Sequence, residues 1–231
     1  MQGRFSTDPK KFDEVIQELT ESGKQFEDPD FPAADESIVD PTDQTDALKS
    51  IGKVVWRRPK DIPALLDKNG KAHLFHGKIE PNDIKQGMLG DCYFLSALAA
   101  LAEKPNRIRD MFLDEEANNE GIYGAKMYKN GIEMYVNVDD FIPLTEGDRV
   151  SFARSNGPEL WVIMLEKMWA KLHGSYERCD AGWEHHTIRD LTGAPAYFMH
   201  HNHDFDVFEK ILDFDKKNYV MNTSMGANYD P

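Results

Sequence analysis

The sequence predicts an α+β fold, with helices packed around a small antiparallel sheet, on three observations. Residues 91–103 (DCYFLSALAALAE) are rich in Ala and Leu and lack Gly and Pro, and the run ends just before Pro105, the composition of a buried helix. Residues 122–128 and 132–138 flank Asn130-Gly131, a pair suited to the two left-handed positions of a type I′ hairpin turn. Strand and helix patterns do not alternate as βαβ units, and no long repeat is present, so doubly wound sheets, solenoids and propellers drop out.

The first helix is predicted after Asp8-Pro9, a capping residue followed by a proline at the first helical position. Phe12, Val15, Ile16 and Leu19 then repeat at helical spacing as one apolar stripe. Residues 27–46 are acidic, contain no Lys or Arg and carry prolines at 29, 32 and 41. Such a segment is expected to be extended, irregular and solvated, wrapping the surface of the domain. From Lys53 the texture changes to short elements with dense turn signals. After the central helix and the hairpin, residues 158–172 (PELWVIMLEKMWAKL) form another helix opened by Pro158. A further helix is expected to begin within 205–212. Asp139-Asp140 reads either as an acid pair or simply as the end of the second hairpin strand, where Asp is disfavoured.

Composition narrows the function classes. The chain has 231 residues, with 41 Asp+Glu against 27 Lys+Arg and a net charge of −14. At 40% hydrophobic and 11% aromatic it can bury a core, so it is not an acidic tail. Its two cysteines, Cys92 and Cys179, cannot staple a domain of this size, which favours a reducing, cytoplasmic location. The N-terminal run lacks the basic and apolar regions of a signal peptide, and no stretch reaches the roughly 18–20 apolar residues of a membrane helix. The acidic balance argues against nucleic acid as a partner. Acidity is compatible with cation binding, though it more often serves solubility.

The chemistry concentrates in Gln86–Leu95 (QGMLGDCYFL). Gly87 and Gly90 permit a tight loop and the close approach of another backbone. Cys92 follows at the first turn of an apolar helix, where unpaired N–H groups and a partial positive charge favour the thiolate needed for nucleophilic attack. Gln86, six residues upstream, could offer its amide to the oxyanion of a tetrahedral intermediate. Read alone, a cysteine on an apolar helix is more often a small buried core residue.

Gln86–Leu95 resembles the active-site signature of the calpains, papain-like calcium-dependent cysteine proteases. Other stretches resemble the same family in the same order: Phe26–Val39 (FEDPDFPAADESIV), Val55–Pro59 (VWRRP) followed by Ile62, Leu160–Tyr176 (LWVIMLEKMWAKLHGSY) and Asp190–Ala194 (DLTGA). Together they span about residues 25–225. The resemblance implies a papain-like first lobe built on the Cys-bearing helix. It divides the chain into an N-terminal helical segment (1–25), an acidic entry segment (26–52), a first catalytic lobe (53–196) and the start of a second lobe (197–231).

By resemblance, Cys92 stands at the nucleophile and Gln86 at the oxyanion-hole amide, with Tyr93 replacing the Trp common in animal members. Asp83 and Glu159 stand where the family has the carboxylate ligands of the first lobe's Ca²⁺, the cofactor implied here. Further ligands would be backbone carbonyls of the His76–Lys78 loop, where Lys78 replaces a glycine. Without that context both residues read as ordinary surface acids. Two carboxylates joined by carbonyls suit a hard cation.

A papain-like enzyme also needs a histidine base and an orienting asparagine, the histidine lying roughly 130–150 residues after the cysteine. That window opens here near position 222, beyond the last histidine, His203. The family's Gly-His-Ala and Asn-Pro-Trp motifs are absent, while Asn222–Gly226 resembles an early strand of the second lobe. His185-His186 and His200-His201-x-His203 are the other candidates, and they read as exposed loop histidines rather than a zinc site. The expectation is therefore a calcium-dependent cysteine endopeptidase acting on proteins or peptides, truncated in its second lobe. Its partners would be the rest of that lobe or regulatory domains. The alternative is a non-catalytic calcium-responsive peptide-binding module.

Overall fold

The computed structural model describes residues 5–8, 10–40, 48, 51–200 and 206–224. Pro9, residues 41–46 of the acidic segment, His201, His203, Phe205 and residues 225–226 lie outside the described residues. Helix α1 (Lys10–Ser22) starts where Asp8 Oδ1 accepts the Lys10 N–H at 3.0 Å, the expected cap. Of its apolar stripe only Phe12 is buried, its ring packed over Gly124.

The acidic segment departs from its predicted solvation. Its described part carries one short helix, α2 (Asp35–Ile38), among turns and bends, and Phe31 and Ile38 join the core. Asp28 is buried, and both of its oxygens accept Lys171 Nζ, at 2.9 and 2.7 Å, from 143 residues downstream. Asp40 pairs with Arg178, and its N–H donates to Glu177 at 3.0 Å. These acids are ion-paired anchors, which composition alone does not distinguish from a solvated run.

The antiparallel sheet consists of two separate ladders. β1 (Val55–Arg57) pairs with β4 (Ile142–Leu144), and β2 (Ile122–Lys129) pairs with β3 (Ile132–Asp139). Asn130 and Gly131 turn between β2 and β3 at φ of 53° and 76°, the left-handed values of a type I′ turn. A two-stranded hairpin alone is marginal in water, and short bridges extend this one on both edges. The Lys126 N–H donates to Met111 O at 2.7 Å, and the Tyr135 N–H to Ser6 O at 2.8 Å.

The central helices are α3 (Cys92–Ala102) and α5 (Trp161–His173), with α4 (Pro105–Arg109) between them in sequence. Every residue of α5 from Trp161 to Leu172 is buried, and Trp169 stacks on Phe94 of α3 at 5.1 Å between centroids. Burial therefore extends to Glu166, Lys167 and Lys171. Lys167 pairs with Asp139 and also donates to the Asp139 and Phe141 carbonyls at 3.0 and 2.7 Å. Asp140 pairs with Arg58, whose guanidinium lies 4.1 Å over the Phe141 ring. Asp139-Asp140 thus does more than end a strand: it supplies both acids of a buried charge network.

Helix α6 (Glu184–Thr192) was not legible from its polar sequence and ends at Gly193 with φ of 70°. His185 and His186 sit on its first turn, not in a loop as expected. Helix α7 (Val207–Lys216) is the predicted late helix, and none of its residues is buried.

Candidate active site around Cys92

Cys92 is the first residue of α3 and is exposed, while Tyr93, Phe94, Leu95 and Leu98 behind it are buried. The apolar face of the helix is thereby fixed in the core, and its N-terminal end opens to solvent with the thiol. The Asp91 carbonyl accepts the Phe94 and Leu95 N–H groups at 2.8 and 3.1 Å, so α3 begins at Cys92. The leading N–H groups of such a helix have no intrahelical acceptor and remain directed at whatever binds there.

The loop before Cys92 is pinned from one side by a neighbouring segment. Lys85 and Arg154 exchange backbone hydrogen bonds at 2.9 and 3.0 Å, and the Met88 N–H donates to Ser151 O at 2.9 Å. Gly87 lies between these bonds, where a Cβ would fall inside the Phe152 backbone. The close approach expected of the glycines is therefore made to the protein's own chain. The Gln86 amide donates through Nε2 to Leu89 O at 2.8 Å, which fixes the side chain across the loop and leaves a second N–H on the same nitrogen.

A second wall comes from residues 180–182, and nothing in the local sequence announces it. Asp180 Oδ1 accepts the Gly90 N–H at 2.9 Å, and the Ala181 N–H donates to Gly90 O at 3.0 Å. Gly182 packs on the Tyr93 ring, where a Cβ would collide with the aromatic carbons. The Tyr93 hydroxyl donates to Cys179 O at 3.0 Å and accepts the Trp169 indole N–H at 3.2 Å. Burial pushes this phenol's pKa up. Cys179 is a buried free thiol, its pKa also raised by burial.

Two buried carboxyl groups, Asp91 and Glu166, belong to the same region. Asp91 is 0% exposed, and neither of its side-chain oxygens has a hydrogen-bond donor. Burial pushes its pKa up to about 6, with Asp180 adding repulsion and a contact with Glu166 opposing the shift. Glu166 is 1% exposed, and both its oxygens accept the Ala153 N–H at 3.0 Å. Burial first and the Asp91 charge second hold Glu166 well above the usual carboxylate range.

Asp83 and Glu159 are brought together from distant parts of the sequence. Asp83 ends a 3₁₀ turn (Pro81–Asp83), and its Oδ2 accepts the Glu80 N–H at 2.7 Å. Glu159 is buried just ahead of α5, and its Oε2 accepts the His76 N–H at 3.2 Å. Its pKa is raised by burial and then by the charge of Asp83, so the two carboxylates repel each other. The loop from His73 is bound to the same place: the Leu160 N–H donates to His73 O at 2.9 Å, and the Trp161 N–H to Leu74 O at 3.1 Å. Gly77 turns that loop at φ of 80°, and Lys78 points its ammonium at Glu80, 2.8 Å away. Two mutually repelling carboxylates beside a carbonyl-bearing loop fit a hard, oxygen-preferring cation. Among the described residues no three His, Cys, Asp or Glu side chains cluster as metal ligands, so any further donors would be backbone or water.

The His185 and His186 rings lie 4.2 Å apart at a tilt of 53°, and the His185 ring lies 5.5 Å from Phe198. His73 pairs with Asp67 at 3.0 Å. His173 is held between the Trp169 carbonyl and Lys129, and burial lowers its pKa. A surface depression lined by Gly23, Lys24, Gln25, Arg58 and Phe141 includes none of the candidate site residues.

A family profile described as calpain family cysteine protease matches residues 26–230. The chain is 40% identical over 177 residues to the calpain-type cysteine protease ADL1 of Oryza sativa subsp. japonica, covering 76% of this chain and 8% of that protein. It is 41% identical over 172 residues to the calpain-type cysteine protease DEK1 of Arabidopsis thaliana, covering 74% and 8%. It is 31% identical over 190 residues to a calpain of Schistosoma mansoni, covering 80% and 24%. The chain thus spans less than a quarter of the length of these relatives.

Proposed function

The chain belongs to the calpain family of cysteine proteases, and from that premise we propose that it carries the nucleophile and oxyanion-hole half of a calcium-dependent endopeptidase. The observation that supports this reading is the exposed Cys92 thiol at the first turn of α3, framed by a loop that holds Gln86 in place. The Cys92 thiolate would attack the carbonyl carbon of an extended peptide, breaking the C=O π bond and forming a tetrahedral oxyanion that still carries the leaving amine. The free Gln86 Nε2–H and the Cys92 backbone N–H would receive that charge. Collapse would expel the amine and leave a thioester for water to cleave. Proton transfer needs a base, and the family's Gly-His-Ala and Asn-Pro-Trp motifs do not occur in this sequence. Full turnover would therefore require a base brought to Cys92 from outside these residues, with proteins or peptides as substrates.

Asp83 and Glu159 would hold Ca²⁺ in this reading, the ion supplying the positive charge their repulsion calls for and fastening the 73–78 loop to the start of α5. An intracellular, cytoplasmic setting is part of the proposal, since it would keep the exposed thiol reduced. Among the described residues no helix is long and apolar enough to cross a membrane.

The test is labelling by a peptidyl epoxide with and without Ca²⁺, located by peptide mass analysis. Cys92 should react well ahead of Cys179 and faster than free cysteine at neutral pH, and Cys92→Ala should abolish labelling. A Cys92 no more reactive than free cysteine would favour the non-catalytic binding module instead.

A further inference from the structure

We propose that Glu166 is a positioning residue that ties the 151–154 segment behind Gln86 to the residue before Cys92 by sharing one proton with Asp91. This inference rests on the reading of Cys92 as nucleophile.

The geometry points to it from both sides of the same carboxyl group. On one side, Glu166 accepts the Ala153 N–H at 3.0 Å. Ala153 lies within the 151–154 segment that pairs with Lys85 and Met88 and presses against Gly87, so this bond fixes the strand supporting Gln86. On the other side lies Asp91, the residue immediately before Cys92, whose carboxyl group contacts that of Glu166 and whose carbonyl starts α3. Glu166 itself is on α5, which is buried from Trp161 to Leu172. One side chain thus touches both the support of the Gln86 loop and the residue that sets where the Cys92 N–H points.

Two fully ionised carboxylates could not hold that arrangement. Asp91 and Glu166 are both buried, and neither pairs with an Arg or Lys among the described residues. Asp91 lacks any N–H or O–H donor, a costly state for a buried carboxylate. The groups facing it add no cation: Glu166 from α5, Asp180, Tyr176 and Cys179 from the segment after α5, and Tyr93 from α3 itself. The nearest cation acting in this group, Lys129, is felt at Cys179. A proton on Glu166 resolves both problems, since its O–H then donates to Asp91 while its other oxygen accepts from Ala153. The directions agree with this arrangement: burial and then the Asp91 charge hold Glu166 well above the usual carboxylate range, which favours the proton on Glu166.

Gln at 166 mimics the protonated acid, accepting from Ala153 through its oxygen and donating to Asp91 through its nitrogen. It differs from Glu in being unable to ionise. The test uses the full chain in a Cys179→Ala background and follows peptidyl-epoxide labelling of Cys92, with carboxyl-carbon NMR, across roughly pH 5 to 10. The NMR should show Glu166 protonated and Asp91 ionised at neutral pH. In the parent, labelling should fall at high pH as Glu166 ionises, and Glu166→Gln should keep neutral-pH labelling and remove that fall. Glu166→Leu, which can neither accept nor donate, should lose about tenfold or more in labelling, as a displaced support does. Should the Leu variant fail to fold, the comparison of Gln with parent still decides. Both carboxyl groups ionised at neutral pH, or an unchanged pH profile in Glu166→Gln, would overturn the clamp. An inert Cys92 with carboxyl signals titrating as expected would overturn the nucleophile assignment and leave the shared proton standing.

Discussion

Replacing Gly87 by Ala should cost this chain both stability and the reactivity of Cys92, and the structure gives the size of the loss. A Cβ at this position meets backbone atoms of Phe152, so no side-chain rotation can relieve the clash. One response is to separate the two segments, giving up the Lys85–Arg154 pair and the Met88–Ser151 bond. These three hydrogen bonds contribute about 1 kcal/mol each, or about 3 kcal/mol together. The other response is to keep them and absorb the overpacking, at about 1–3 kcal/mol. The two routes bracket a loss of about 1–3 kcal/mol, which lowers the Tm of a chain this size by about 2–12 °C. The local damage falls where Gln86 is held, so epoxide labelling of Cys92 should drop by more than the stability loss explains. Calorimetry and labelling would be run beside Gly157→Ala, a position with open space around its Cβ. If Gly87→Ala matches that control in both measurements, the reasoning about this loop is wrong.

Lys167→Met removes the cation from Asp139 in a site that is fully buried, and should destabilise by about 3–5 kcal/mol in calorimetry. A loss below about 1 kcal/mol would mean that the pair behaves like an exposed one. Asp114 has its pKa pushed up to about 7 by burial, with the charges of Asp13 and Glu120 adding to it against a bond from the Gly124 backbone. Because the folded value lies above the unfolded one, its contribution to stability is fully present at low pH and is lost as pH rises through about 7. Asp114→Asn should therefore raise Tm at pH 8 and leave it unchanged near pH 4, the gain being about 1–2 kcal/mol after solvent screening. Equal Tm shifts at both pH values would refute this. Adding Ca²⁺ at about 100 times its Kd should stabilise the chain by about 2.7 kcal/mol, and Asp83→Ala or Glu159→Gln should remove the shift. Identical melting curves with and without the ion in the parent chain would end the calcium assignment.

Much of the scaffold was legible because it depends on local signals. Asp8 caps α1, Asn130-Gly131 turns the hairpin, and the Ala/Leu run from Cys92 becomes α3, each decided within a few residues. The candidate site was legible to the same extent, with Cys92 at a helix start and Gln86 in a glycine-bounded loop. Helix α6 escaped because its few apolar residues give no stripe, and its place follows from packing against α3 and β2 rather than from propensity.

The sequence by itself therefore determined most of the elements, the place of Cys92 at a helix N-terminus and the family to which the chain belongs. Tertiary structure alone decided what each charge does. Asp28, Asp139, Asp140 and Glu166 are indistinguishable in composition from the exposed acids around them, yet folding buries all four. The first three meet cations far away in the chain, and Glu166 meets another acid. Likewise Gly87 and Gly182 are ordinary glycines until the Phe152 backbone and the Tyr93 ring arrive against them. The physical reason is common to all of these. Hydrogen bonding along the chain and turn chemistry act over a few residues, whereas desolvation and ion pairing depend on which surfaces the fold brings together.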